Sequence, residues 1–235
     1  MRTLALSDEI LMKVDKAARY IGGEVNSVMK DKNEVDIRFA MCFPDVYEIG
    51  MSNLGMMILY NMFNQREDVW CERLFSPWPD LDKVMREEKI PLFALESQEP
   101  IRDFDFLGIT IGYEMCYTNI LQVLDLSGIP LKSVDRGEDF PIVIGGGACA
   151  YNPEPLAPFL TCSILEREKL FMMHFLMRTR PIKRMEAAGR IFFWQQLRFL
   201  EFMFRLSMKL PIKKMVRSHP LHRRWMMFLR RFRNS

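Results

Sequence analysis

At 235 residues the chain has room for one large domain or two small ones. Its net charge of +3 averages two unlike parts: 18 of the 33 basic residues lie after Leu160, with only 4 of the 30 acidic ones. Five widely spaced cysteines (Cys42, Cys71, Cys116, Cys149, Cys162) form no CxxC and no CxxxCxxC, so no local motif supports structural zinc or an iron–sulfur cluster.

Scattered thiols fit a reducing, cytoplasmic setting. The opening residues are interrupted by charges too early for a secretory leader or a membrane span. Residues 8–20 carry a helical period, with Ile10, Leu11, Val14, Ala17 and Ala18 on one face and Ser7 or Asp8 as N-cap. Gly22-Gly23 ends that helix. Alternating apolar residues Val35, Ile37, Phe39 and Met41 predict a strand that stops at Pro44. A loop follows, then an apolar helical pattern over 51–63.

Residues 70–75 read as a second strand closed by Ser76-Pro77, 80–88 as a charged helix, and 91–95 as a further strand. The run FDFLGITIGY is nearly continuous in apolar character, as a central parallel strand requires. Residues 118–126 predict an amphipathic helix, and 141–144 a buried strand running into Gly145-Gly146-Gly147. Alternating strands and helices predict an α/β fold, a Rossmann-like doubly wound parallel sheet, with ligands beyond the carboxyl ends of its strands.

After Leu160 this grammar stops. The last 75 positions hold one glycine, Gly189, and crowd Met, Phe and Arg together without turn signals. Natural domains keep local signals mutually consistent, and this segment does not. The expected organisation is a helical extension over 1–16, a domain over 17–160, and a basic tail over 161–235, helical or disordered, that forms no domain. A basic, Phe- and Met-rich tail is also of the kind that lies on anionic membrane or binds nucleic acid without sequence preference. His219-x-x-His222 supplies only two ligands at a non-motif spacing for a metal.

Two loops carry the candidate chemistry. Asp45-x-Tyr47-x-x-Gly50 has the spacing of the cobalamin signature Asp-x-His-x-x-Gly, with a phenol where an imidazole would bind cobalt. The same spacing suits an ordinary strand-to-helix loop, with Asp45 as a cap and Gly50 allowing close approach. Gly145, Gly146 and Gly147 let backbone N–H groups approach a ligand, or simply make a tight turn. Tyr113 and Glu114, at the end of the central strand, point to the same crevice. The clustered Met51, Met56, Met57 and Met62 read as core filling.

Taken together, ARYIGGEVNSV, FPDVYEIGMSNLG, REDVWCERLFSPW, PLFALESQEPI, FDFLGITIGYEMCYTNILQVLDLSGIPL and GGGACAYNPEPLAPF resemble the amino-terminal domain of cobalamin-binding-domain radical SAM proteins. The resemblance spans residues 18–159. It implies a cobalamin-type Rossmann-like domain ahead of a barrel that binds a [4Fe–4S] cluster through CxxxCxxC and cleaves S-adenosylmethionine. It places a corrinoid near Asp45, Tyr47, Gly50, Glu114 and Gly145, Gly146 and Gly147. The chain departs from the family in lacking both the axial His and CxxxCxxC, so it retains at most a corrinoid and no catalytic residue.

The family continues after PEPLAPF with an acidic strand and an IGEGE-like loop. Read one base out of frame, residues 160–171 permit DLFNIGEGEAV, and Trp225-Met226-Met227-Phe228 forces Asp-Asp-Val. The expectation is therefore a one-base shift near Leu160, with the last strand of the sheet lost, an edge exposed and solubility poor.

Overall fold

A computed structural model describes residues 5–137 and 139–164, and the expectations for the tail after Ile164, its His pair included, lie outside them. Five parallel strands form one sheet in the order β2-β1-β3-β4-β5: β1 (Ile37–Phe43), β2 (Val69–Phe75), β3 (Phe106–Thr110), β4 (Ile142–Gly146) and β5 (Cys162–Ile164). This is a doubly wound order whose winding reverses between β1 and β3. A fifth strand is thus present beyond Leu160, paired with β4 from Ile144↔Cys162 to Gly146↔Ile164. Leu160 itself is core, 2% exposed.

The helices between the strands are α3 (Tyr47–Met51), α4 (Leu54–Asn64), α5 (Pro79–Glu88) and α6 (Tyr117–Leu126). The apolar helix read over 51–63 is α4, which starts at Leu54 because Asn53 turns out of helical geometry and caps it by accepting from Met56 N–H at 2.9 Å; the short α3 ends before it at Met51. Helix α4 covers the sheet face carrying Phe39, whose ring meets Phe63 edge-on at 5.0 Å and stacks on Phe106 at 5.9 Å. Leu81 and Met85 of α5, and Ile120, Val123 and Leu124 of α6, join Ala40, Cys42, Leu107, Ile109 and Val143 in the core of the other face. Strand pleating alternates the two sets.

Two predicted elements differ. Residues 8–20 form not one helix but two single turns, α1 (Asp8–Leu11) and α2 (Ala18–Ile21). Between them the Asp15 N–H leaves the helical ladder and donates to Asp80 Oδ2 at 2.9 Å. Residues 91–95 make no sheet strand; Phe93 forms a single antiparallel bridge with Pro100, and Leu95 N–H donates to Arg73 O. This short hairpin covers the outer edge of β2, where an unpaired strand edge would otherwise stand open.

Three charged side chains inside the strands are buried, and all are paired. Arg73, 0% exposed, donates from Nε to Glu96 Oε1 at 2.5 Å and from Nη2 to Glu24 Oε2 and Ser27 Oγ, both at 2.8 Å. Its own backbone N–H donates to Glu96 Oε2 at 2.6 Å. On the opposite face Arg38 holds Glu72 at 2.6 Å and also Glu99, and the Ser97 N–H donates to Glu72 Oε2 at 2.8 Å. Glu96 and Ser97 therefore clamp the hairpin to both faces of β2.

Among the described residues no helix is long and apolar enough to cross a membrane. Two outcomes follow for stability. Glu96→Leu strands the Arg73 charge and lowers unfolding free energy by about 3–5 kcal/mol, measured by chemical denaturation. Gly108→Ala drives a Cβ to 2.5 Å from the Phe39 ring; overpacking of this kind costs about 1–3 kcal/mol, read in the same way.

Candidate functional site at the carboxyl edge of the sheet

The winding reversal leaves a crevice between the carboxyl ends of β1 and β3, which is where open α/β sheets bind ligands. Its walls are the loop after β1, residues 44–46, and the loop after β3, residues 111–116. Two hydrogen bonds cross it. Tyr113 OH donates to Asp45 Oδ2 at 2.9 Å, and Asn119 Nδ2 donates to Pro44 O at 2.9 Å. The other Asp45 oxygen accepts from Val46 N–H at 2.7 Å, so Asp45 does not cap α3, whose N-terminus has no side-chain cap.

Asp45 and Tyr113 thus meet as the sequence suggested, but Tyr47 does not join them. Its hydroxyl donates to Glu24 Oε1 at 2.8 Å, and its ring lies edge-on to Phe75 at 5.5 Å, on the β2 side of the loop. Burial, and then the hydrogen bond and charge of Glu24, push the Tyr47 phenol up to about 12. Glu24 moves the other way. Against the upward push of burial, its own backbone N–H, the Arg73 charge and the Tyr47 hydroxyl hold it below the ordinary carboxylate range. A neutral phenol facing a carboxylate results.

The glycines are occupied by the chain itself. A Cβ at Gly50 would lie 2.2 Å from Phe75 Cε1, and one at Gly145 would lie 2.5 Å from Leu160 Cδ1 and 2.8 Å from Ile111 Cδ1. Gly147 has φ +126° and a Cβ there would meet Ile111 O at 2.5 Å. Gly146 pairs in the sheet, its carbonyl accepting from Ile111 N–H. These positions are where the fold requires small residues for packing. The residues present do not fit a corrinoid: an axial nitrogen is missing, the phenol in its place is engaged with Glu24, and the chain's own atoms occupy the place of a Cβ at Gly50, Gly145 and Gly147. No step is derived through such a group.

Glu114 is exposed at the crevice rim, near Cys149. Sequence reading passed over Cys116, Tyr117 and Cys149, which gather there with Tyr113. The Tyr113 hydroxyl is pushed up by the Cys116 thiol and Asp45 beside it. Burial raises Cys116, Cys149 and Tyr117. All four are neutral near pH 7, so none is an activated nucleophile. Among the described residues, no group of three or more His, Cys, Asp or Glu side chains is placed to hold a metal ion.

A shallow cleft lies at the end of β2, lined by Tyr20, Tyr47, Phe75, Ser76, Leu81 and Phe93 among others. The signal in the sequence for this region is the charged pair Glu72-Arg73 inside an apolar strand, which only a buried partner explains.

No curated protein matches the chain. The family model described as radical SAM proteins, N-terminal, matches residues 55–204, starting just after the Asp45–Gly50 loop and running past Leu160. That match takes in more than half of the sequence and strands β2 to β5, and by it the chain belongs to the radical SAM family, in its amino-terminal part.

Proposed function

We propose that the chain is the amino-terminal α/β part of a radical SAM iron–sulfur enzyme, and that the radical chemistry belongs to a barrel not contained in these residues. The family match over residues 55–204 carries this reading. The all-parallel sheet agrees with it. The sequence holds no CxxxCxxC with which to bind a [4Fe–4S] cluster for cleaving S-adenosylmethionine. The resemblance also brings a corrinoid to such a domain, but with Tyr47 at the axial position and turned to Glu24 the loop of this chain offers cobalt no imidazole.

The segment after Leu160 is, in this reading, a product of a one-base shift. The charge split and the single glycine in 75 residues support it. One observation favours a second reading: the family match runs to residue 204, as it would if the segment were an in-frame but divergent continuation.

The DNA across codons 157–168 and onward past codon 235 separates the two. The expected result is that one added base restores an IGEGE loop and a downstream CxxxCxxC; a downstream sequence with no such frame supports the divergent continuation. The corresponding protein measurement is production of 5′-deoxyadenosine from S-adenosylmethionine after reconstitution with iron and sulfide. The present chain yields none above background, and the frame-restored protein yields turnover.

A further inference from the structure

We infer that the corrinoid place in this domain is closed by the chain itself, so that the Asp-x-Tyr-x-x-Gly loop is a structural joint and takes no corrinoid. The inference rests on the family reading and concerns this chain's own residues.

Three observations made at separate points of the edge agree. First, the acid and the axial position are wired apart. A metal-bound His is normally oriented by a second-shell carboxylate. Here Asp45 spends both oxygens on Val46 N–H and Tyr113 OH, on the β3 side, while Tyr47 turns to Glu24 on the β2 side. Glu24 is held in turn by Arg73 and Ser27, so Tyr47 belongs to the buried ion network. Second, the space over Gly50 is filled by the Phe75 ring, and Phe43 Cβ would stand 3.2 Å from an added Cβ. Third, the space over Gly145 is filled by Leu160 and Ile111. The Asn119 and Tyr113 hydrogen bonds cross the crevice between them and tie its two loops together.

A consequence is that restoring the axial residue alone does not restore a site. An imidazole at position 47 would lack the Asp45 carboxylate and face Glu24.

The full chain and its Tyr47→His variant, each equilibrated with aquacobalamin and passed through a desalting column, test this by visible absorbance. The expected result is that corrinoid stays with the small-molecule fraction for both. Retention by the wild-type chain, or retention by Tyr47→His with the spectral change of imidazole replacing water on cobalt, overturns the inference. Either result leaves membership of the radical SAM family untouched.

A second measurement needs no ligand. If Gly50 and Gly145 serve packing, Gly50→Ala and Gly145→Ala each lower the melting temperature of the ligand-free chain, by about 2–10 °C for an overpacked domain of this size. If they are reserved for a corrin, both variants keep the wild-type melting temperature, and the inference fails.

Discussion

The fully buried guanidinium of Arg73 is the constraint on which the β2 side of the molecule depends. It touches the hairpin through Glu96, the segment before β1 through Glu24 and Ser27, helix α3 through Met51 Sδ at 3.2 Å, and helix α4 through the Tyr60 ring at 4.9 Å. Four separate pieces of chain converge on one charge. Burying such a charge is tolerable only when each of its donors finds a partner, and removal of one partner costs more than the pair contributes. The network therefore fixes geometry more than it adds stability. It sets where the hairpin crosses the β2 edge, and through Glu24 it sets which way Tyr47 turns. The orientation of the residue at the axial position is in this sense decided at the far edge of the sheet.

The segment before β1 follows the same dependence. Leu6, Val14 and Tyr20 join the core of the α5 and α6 face. Farther along, Val28 N–H donates to Tyr60 OH of α4 at 2.7 Å, and Val28 O accepts from Trp70 Nε1 of β2 at 3.0 Å. The chain passes from one face to the other by way of Gly22 and Gly23, at φ 58° and 88°. Gln98 reinforces the passage, donating to Tyr20 O and accepting from Ala5 N–H, both at 3.1 Å. What reads as a helical extension is a strap across the β2 edge, and its contacts are with residues far away in sequence.

That explains which parts of the fold were legible in the residues. Strands β1 to β4 and helices α4, α5 and α6 announce themselves locally: β1 by its alternation, β2 by the Ser76-Pro77 that closes it, β3 and β4 by the continuous apolar runs that burial on both faces demands, and the helices by their period of 3.6. The strap and the hairpin carry no such period. Ile10, Leu11 and Val14 mimic a helix face, but Val14 and Tyr20 are buried by long-range contacts and Asp15 is drawn to Asp80. The hairpin residue Gln98 takes φ 65°, a turn conformation that its side chain does not advertise. In the candidate site, the meeting of Asp45 and Tyr113 was legible from their places at adjacent strand ends. The divergence of Asp45 from Tyr47 was not, because two residues apart in a loop leaves side-chain direction to the surroundings.

The glycines teach the general point. A missing Cβ records that something comes close to the backbone; it does not record what. A motif such as Asp-x-x-x-x-Gly or a Gly-Gly-Gly run at a strand end is therefore equally compatible with a cofactor and with the protein's own side chains. Only the neighbours decide. Here they are Phe75 over Gly50, Leu160 and Ile111 over Gly145, and the Ile111 carbonyl against Gly147. Each of these neighbours is itself largely buried, so none is a side chain held open over solvent and free to swing aside. Displacing them to admit a flat macrocycle would expose apolar surface at three strand ends at once, and at about 25 cal/mol per Å² of that surface the ligand would have to repay the loss before any affinity appeared.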